Sequence, residues 1–196
     1  MNIDNINFTH ILTTTLIVEL YMLILFRYTK SVFSIKAIND WYDNYKLTAI
    51  LLDIFIVIIG FYLTIFTFKY FKLNKYYQFL ILQLIIQIVH DILFYIFFSW
   101  YPKNSNSIID DFKIYAKKTD FGAIVGDSFM YLIGVPILFL LLNIKNNNLI
   151  FIAVLCSYLI GYLIYQKPLY KFKTFNLDLL LPLLSLKFIN YHIYLG

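Results

Sequence analysis

Long apolar runs alternate with shorter polar stretches along the chain, and five of the runs approach membrane-spanning length. A helix needs about 17–25 mostly apolar residues to cross the hydrocarbon core, and within lipid only helices and closed barrels satisfy the backbone. The pattern therefore predicts an all-α, polytopic membrane helix bundle, with one transmembrane unit over 1–165. The predicted spans are 8–26, 47–68, 77–98, 122–142 and 149–165.

The remaining C-terminal segment, 166–196, is predicted to be cytosolic or interfacial. Residues 177–195 are apolar, but Pro182 and Lys187 interrupt them. A proline inside a helix removes one backbone hydrogen bond and clashes with the preceding turn. These interruptions favour an interfacial or re-entrant segment, and a sixth membrane segment in this region stays open as an alternative.

Two polar stretches between the spans have the periodicity of amphipathic helices, at about 33–45 and 107–118. In the first, apolar residues recur at helical spacing, with polar residues such as Asn39 between them. In the second, Ser107 can cap a helix with acidic residues in its first turn and lysines in its last, which suits the helix dipole. Both are predicted to lie on the inner membrane surface. Ordinary connecting loops are the alternative.

Lys and Arg residues are distributed unevenly between the loops. Twelve of the sixteen fall in the 27–46 loop, the 99–121 loop and the C-terminal tail, and the other four in the 69–76 and 143–148 loops. Cytosolic loops of membrane proteins carry the excess of positive charge. The bias therefore predicts a non-cytosolic N-terminus and a cytosolic C-terminus.

The composition agrees with a membrane location. Hydrophobic residues make up 61% of the chain and charged residues 14%, whereas a soluble domain carries about 25% charged residues. The single cysteine, Cys156, allows no intrachain disulfide. We expect the lipid bilayer as the main partner and a homo-oligomer or other membrane or virion proteins as further partners. Neither a nucleic acid nor a cofactor is expected.

Ionisable residues interrupt four of the predicted spans. A charged side chain costs on the order of 3 kcal/mol or more at the centre of a bilayer, so each of these residues requires a partner or a role. With a helix rise of about 1.5 Å per residue, all of them lie roughly 8–12 Å below the same cytosolic boundary. The shared depth predicts one polar layer, whose members are Glu19, Asp53, His90, Asp91 and Asp127.

The third span adds a stripe of polar residues. Gln83, Gln87 and Asp91 follow i, i+4, i+8 spacing, which places them on one helix face. That face is predicted to look into the bundle, because lipid offers amides no hydrogen-bond partners. Gln83 and Gln87 would then form a polar track that leads from the outer half of the span toward the layer.

Two interpretations of the layer stay open. In the first, the carboxyls and His90 hydrogen-bond between helices and fix their packing, which favours a structural or membrane-organising protein. In the second, four carboxyls with one imidazole and no Lys or Arg well inside the spans take up protons or bind a cation. That interpretation favours a small proton or cation channel or transporter. From the sequence alone we favour the first.

No complete catalytic motif occurs, and we expect no enzymatic activity. The three histidines lie in different regions without metal-ligand spacing, so no metal site is predicted. Gly126-Asp127 is similar to part of the intramembrane aspartyl protease motif, but Ile124 and Val125 do not complete it.

Small residues in the last two spans are predicted to let helices approach closely. Gly122 and Gly126 are four residues apart, and Ser157 and Gly161 have the same spacing. Such pairs are common at contacts between membrane helices.

Several short segments between Trp41 and Leu142 carry a resemblance. They are Trp41-Tyr42 before the span that holds Asp53, then 87–95, 107–116 and Gly126-Asp127-Ser128. This half of the chain resembles a family of uncharacterised multi-pass membrane proteins encoded by giant (nucleocytoplasmic large) DNA viruses. The resemblance implies a viral origin and a place in a viral or host membrane, and it implies no activity and no functional residues.

Overall fold

The computed structural model describes residues 3–29, 36–119 and 122–167, which fold as seven helices with no strand among them. The helices are α1 (Phe8–Tyr28), α2 (Lys36–Tyr45), α3 (Leu47–Tyr70), α4 (Tyr76–Trp100), α5 (Ser107–Thr119), α6 (Gly122–Leu141) and α7 (Asn146–Leu163). The predicted all-α helix bundle is therefore confirmed.

Five of the helices, α1, α3, α4, α6 and α7, are long and apolar enough to cross a membrane. They coincide with the five predicted spans, and their ends differ from the predicted ends by up to three residues. The two shorter helices, α2 and α5, form where amphipathic helices were expected. A sixth segment at 177–195 lies outside the described residues.

α1 lies at the centre of the bundle. It packs against α7, α6 and α3, and more than half of its apolar window is buried, compared with about a third or less in the other four spans. Asn7 caps its first turn, with the side-chain oxygen accepting a hydrogen bond from the backbone N–H of His10 at 3.1 Å. Because α1 has neighbours on most sides, its polar residues are held against protein and not against lipid.

α4 lies at the edge of the bundle and packs on α3 and α6 through a single face. Its buried residues are Phe79, Gln83 and Gln87. Beyond Asp91 its side chains are largely exposed on all sides, and the nearest element there is α5. The polar face of α4 is therefore covered by other spans only in its first two-thirds.

α2 folds against the C-terminal end of α1, and it also contacts α3 and α5. Asn39 is buried and its side-chain N–H donates to the carbonyl of Phe26 at 3.2 Å. The expectation that Asn39 lies on an exposed polar face is therefore wrong. The last four carbonyls of a helix have no partner within the helix, and Asn39 supplies one of them with a donor.

Glycines other than the expected ones bring the helices close together. A Cβ added at Gly126 or Gly161 would meet no atom of the described residues within 4 Å, so within this part of the chain the predicted contact role of these two glycines is wrong. Gly134 instead lies against Phe61, whose ring would be 3.3 Å from an added Cβ, and Gly60 lies against two neighbouring helices. Glycine at these positions permits close approach of the spans.

Candidate functional site

Four spans each contribute one carboxyl to the same region of the bundle: Glu19 from α1, Asp53 from α3, Asp91 from α4 and Asp127 from α6. The charge of Asp127 acts on Glu19, and that of Glu19 acts on Asp53. Asp127 is in turn within reach of the charges of Asp91 and Asp53. The structure therefore brings these four residues together, and we call them the carboxyl layer.

Glu19 is the most deeply buried member of the layer, with 1% of its surface exposed. Its Oε1 accepts a hydrogen bond from the Tyr42 hydroxyl at 3.3 Å, so α2 reaches the layer directly. Its Oε2 is buried and has no hydrogen-bond partner among the described residues. This oxygen of Glu19 is therefore able to take a proton or accept a hydrogen bond from a small polar ligand. Asp53 and Asp127 are half-buried.

Asp91 joins the layer to the polar track of α4. Its Oδ1 accepts a hydrogen bond from Nε2 of Gln87 at 2.6 Å and lies 3.2 Å from Nδ1 of His90. Its Oδ2 is buried and has no hydrogen-bond partner in the described part of the chain. The side chains of Asp91 and His90 are 14% and 27% exposed, so His90 is the more accessible of the two. An imidazole nitrogen can either donate or accept a proton, so His90 is placed to pass protons between Asp91 and the surface.

Gln83, the outer residue of the predicted track, lies against residues that the sequence did not single out. It is fully buried, and among the described residues neither atom of its amide has a hydrogen-bond partner. Its amide and the Tyr131 side chain of α6 both lie against Gly60 of α3. The sequence did contain a signal for Tyr131, because it stands one helical turn after Asp127 and so shares its face.

A second group that the sequence did not indicate is a run of buried threonines in α1. Thr13, Thr14 and Thr15 are each at most 1% exposed. The Thr13 hydroxyl donates to the carbonyl of Leu149 in α7 at 3.2 Å. The hydroxyls of Thr14 and Thr15 have no hydrogen-bond partner in the ranges that the structure describes. Thr15 stands one turn before Glu19 and so extends the polar face of α1 away from the layer.

Arg27 is a buried cation that the predicted span boundaries left in a loop. α1 continues to Tyr28, and the Arg27 side chain is fully buried. Its Nη2 donates to Oδ1 of Asp43 and to the carbonyl of Gln166, both at 2.9 Å. The predicted end of the first span at residue 26 therefore lies two residues before the end of α1, and Arg27 belongs to the last turn of the helix. Arg27 joins α1, α2 and the turn that follows α7, and its ion pair is with Asp43 of α2.

The carboxyl of Asp43 is held in its ionised form by two basic neighbours. Partial burial favours the neutral acid, but hydrogen bonds from Lys46 and Arg27, together with their charges, outweigh it and lower the pKa of Asp43 below its usual 3.8. The Lys46 ammonium lies 3.0 Å from the same oxygen that Arg27 contacts. Arg27 and Lys46 are thereby paired with Asp43, which is not a member of the carboxyl layer.

Within the described ranges, the ion pairs include only one that involves a member of the carboxyl layer, the contact between His90 and Asp91. No Lys or Arg of the described residues pairs with Glu19, Asp53 or Asp127. In the same ranges, no three His, Cys, Asp or Glu side chains are arranged to hold a metal ion. The layer is therefore a set of mutually interacting acids with one imidazole at its edge.

Comparison with known proteins found no matching family model, curated protein or solved structure. The resemblance to membrane proteins of giant DNA viruses therefore stays a prediction from the sequence, as does the absence of enzymatic activity.

Proposed function

We propose that this integral membrane protein binds protons in the carboxyl layer and passes them across the bilayer. One observation carries the proposal. Four carboxyls from four different spans interact with one another, and no Lys or Arg of the described residues pairs with them. Acids in this arrangement reach electrical neutrality by binding protons or a cation.

The energetics of the bilayer support this choice of ligand. An unpaired buried carboxylate is so costly that the group takes up a proton instead of remaining charged. Chains of Asp, Glu and His inside membrane proteins typically mark proton relays. The layer has these residue types, and His90 gives it a partly exposed group that can exchange protons with water.

Proton flux into liposomes tests the proposal. We expect the purified protein to dissipate a pH gradient when the membrane potential is clamped, and Asp91→Asn to reduce the rate at least tenfold. Asp40→Asn is the matched control, because Asp40 is a carboxyl of α2 that pairs with Lys36 outside the layer. Gradients of Na⁺ or K⁺ at constant pH distinguish a cation from a proton. The proposal fails if the wild-type protein carries no proton current in either direction.

A structural role is the second candidate, and a hydrogen bond between two helices favours it. Tyr42 of α2 donates to Glu19 of α1, and Gln87 supports Asp91 from within α4. If these bonds serve packing alone, Asp91→Asn leaves the fold intact, Asp91→Leu unfolds it, and no flux is seen in any variant. A structural or membrane-organising component, viral or otherwise, would then be the better description.

A further inference from the structure

The amide of Gln83 is in a position that is unusual for a polar side chain in a membrane bundle. It is completely buried between helices, and both its oxygen and its nitrogen lack hydrogen-bond partners in the described part of the chain. Buried polar groups are nearly always hydrogen-bonded to protein or ordered water. The amide therefore requires a small polar partner that the described residues do not supply.

Gly60 lets the Tyr131 hydroxyl lie against α3 beside this amide. If residue 60 had a Cβ, that atom would collide with the Tyr131 hydroxyl and stand 3.3 Å from Nε2 of Gln83. The Thr64 hydroxyl donates to the carbonyl of Gly60 at 2.9 Å, one turn further along α3. Polar groups from α3, α4 and α6 thus meet at the one place where a side chain on α3 is missing.

The position of this group along the bundle relates it to the carboxyl layer. Gln83 precedes Asp91 by eight residues on α4, roughly 12 Å along the helix axis. Gln87 stands midway and hydrogen-bonds to Asp91. The charges of Asp127 and Asp91 reach the Tyr131 hydroxyl. Gln83 and Tyr131 therefore lie between the layer and the end of the bundle where α4 begins.

We propose that Gln83 and Tyr131, held against Gly60, form a water site through which protons reach the carboxyl layer from the side where α4 begins. The chemistry of the groups fits water. The amide offers two donors and an acceptor, the phenol offers one donor and acceptor sites, and a buried water usually makes about three hydrogen bonds. This inference rests on the proposed function and names the route to its site.

The proton step is balanced without any further reactant. A protonated water at Gln83 gives one proton to an ionised carboxylate of the layer by relay through further water beside Gln87. The products are a neutral water at Gln83 and a neutral carboxylic acid in the layer. Release on the opposite side reverses the step through His90 and Asp91.

Two variants with a matched control test the route. Gln83→Met removes the amide and keeps a similar volume, and Tyr131→Phe removes only the hydroxyl. We expect each to reduce proton flux at least tenfold, with unchanged helicity and thermal unfolding. Gly126→Ala is the control, because a Cβ at Gly126 meets no atom of the described residues within 4 Å. Flux in Gln83→Met that stays within twofold of the Gly126→Ala rate overturns the route.

A second measurement keeps the water site testable even if the protein carries no flux. Solid-state NMR of the protein in lipid, labelled with ¹⁵N at glutamine side chains, detects magnetisation transfer from water to each amide. We expect transfer to the Gln83 amide, assigned by its loss in Gln83→Met. A dry Gln83 amide overturns the water site whatever the flux. An absence of flux together with a hydrated Gln83 rejects the proposed function and retains the water site.

Discussion

Single glycines decide how closely the polar side chains of this bundle can approach one another. Gly60 allows the Tyr131 hydroxyl and the Gln83 amide to lie against the backbone of α3, whereas no atom of the described residues would lie within 4 Å of a Cβ at Gly126. The two glycines differ only in what surrounds them, because both stand inside apolar spans. A methyl group added at each position therefore separates the effect of packing from that of helix propensity.

We predict that Gly60→Ala destabilises the protein by about 1–3 kcal/mol, the usual cost of an overpacked core. The added methyl group collides with the Tyr131 hydroxyl, and the double variant with Tyr131→Phe should recover part of the loss. Gly126→Ala should be neutral or stabilising, since alanine is the better helix former. Thermal unfolding in detergent measures all three. Equal stability of the Gly60→Ala and Gly126→Ala variants would show that the contact at Gly60 is not tight.

At the scale of the elements, the hydrophobic pattern predicted the spans because lipid forces a helix of fixed minimum length on any apolar crossing. The hydrophobic pattern does not predict as directly how each helix is rotated about its axis, and so which residues face the neighbouring helices. Arg27 was placed in a loop because the apolar run ends before it, yet α1 continues and buries it against Asp43. Tyr131 and Gly60 were overlooked because their importance depends on which faces of α3, α4 and α6 meet.

The contact between α1 and α2 depends on the charge of Asp43. Because the pKa of Asp43 is lowered in the folded protein, its stabilising effect is fully present above 3.8 and is lost as the pH falls through the lower folded value. We predict that Asp43→Asn costs about 1 kcal/mol at pH 7, since the pair is partly exposed. The difference from wild type should shrink as the pH falls below 3.8 in unfolding experiments. A difference that does not vary with pH would mean that the Arg27 contact needs no ionised partner.

In the whole molecule, the carboxyl layer lies nearer one membrane surface than the other. The orientation of the protein therefore determines with which side of the membrane His90 exchanges protons. The bias of basic residues predicts that the loops before α4 and α7 are non-cytosolic and the loop before α5 is cytosolic. In sealed cells, a membrane-impermeant reagent added outside should label accessibility tags inserted after Asn74 and Asn143. A tag inserted after Asn104 should be labelled only from the cytosol. The reverse pattern would invert the direction of the proton route.

Infrared difference spectroscopy of the protein in lipid bilayers measures directly whether the carboxyl layer exchanges protons with water. We predict that a change of bulk pH produces carboxylic-acid C=O bands, and that Glu19→Gln, Asp53→Asn, Asp91→Asn and Asp127→Asn each remove or shift one of them. Asp40→Asn should leave these bands unchanged. A spectrum in which none of the four substitutions alters a pH-dependent carboxyl band would contradict the account, because the layer would then be a fixed element of packing.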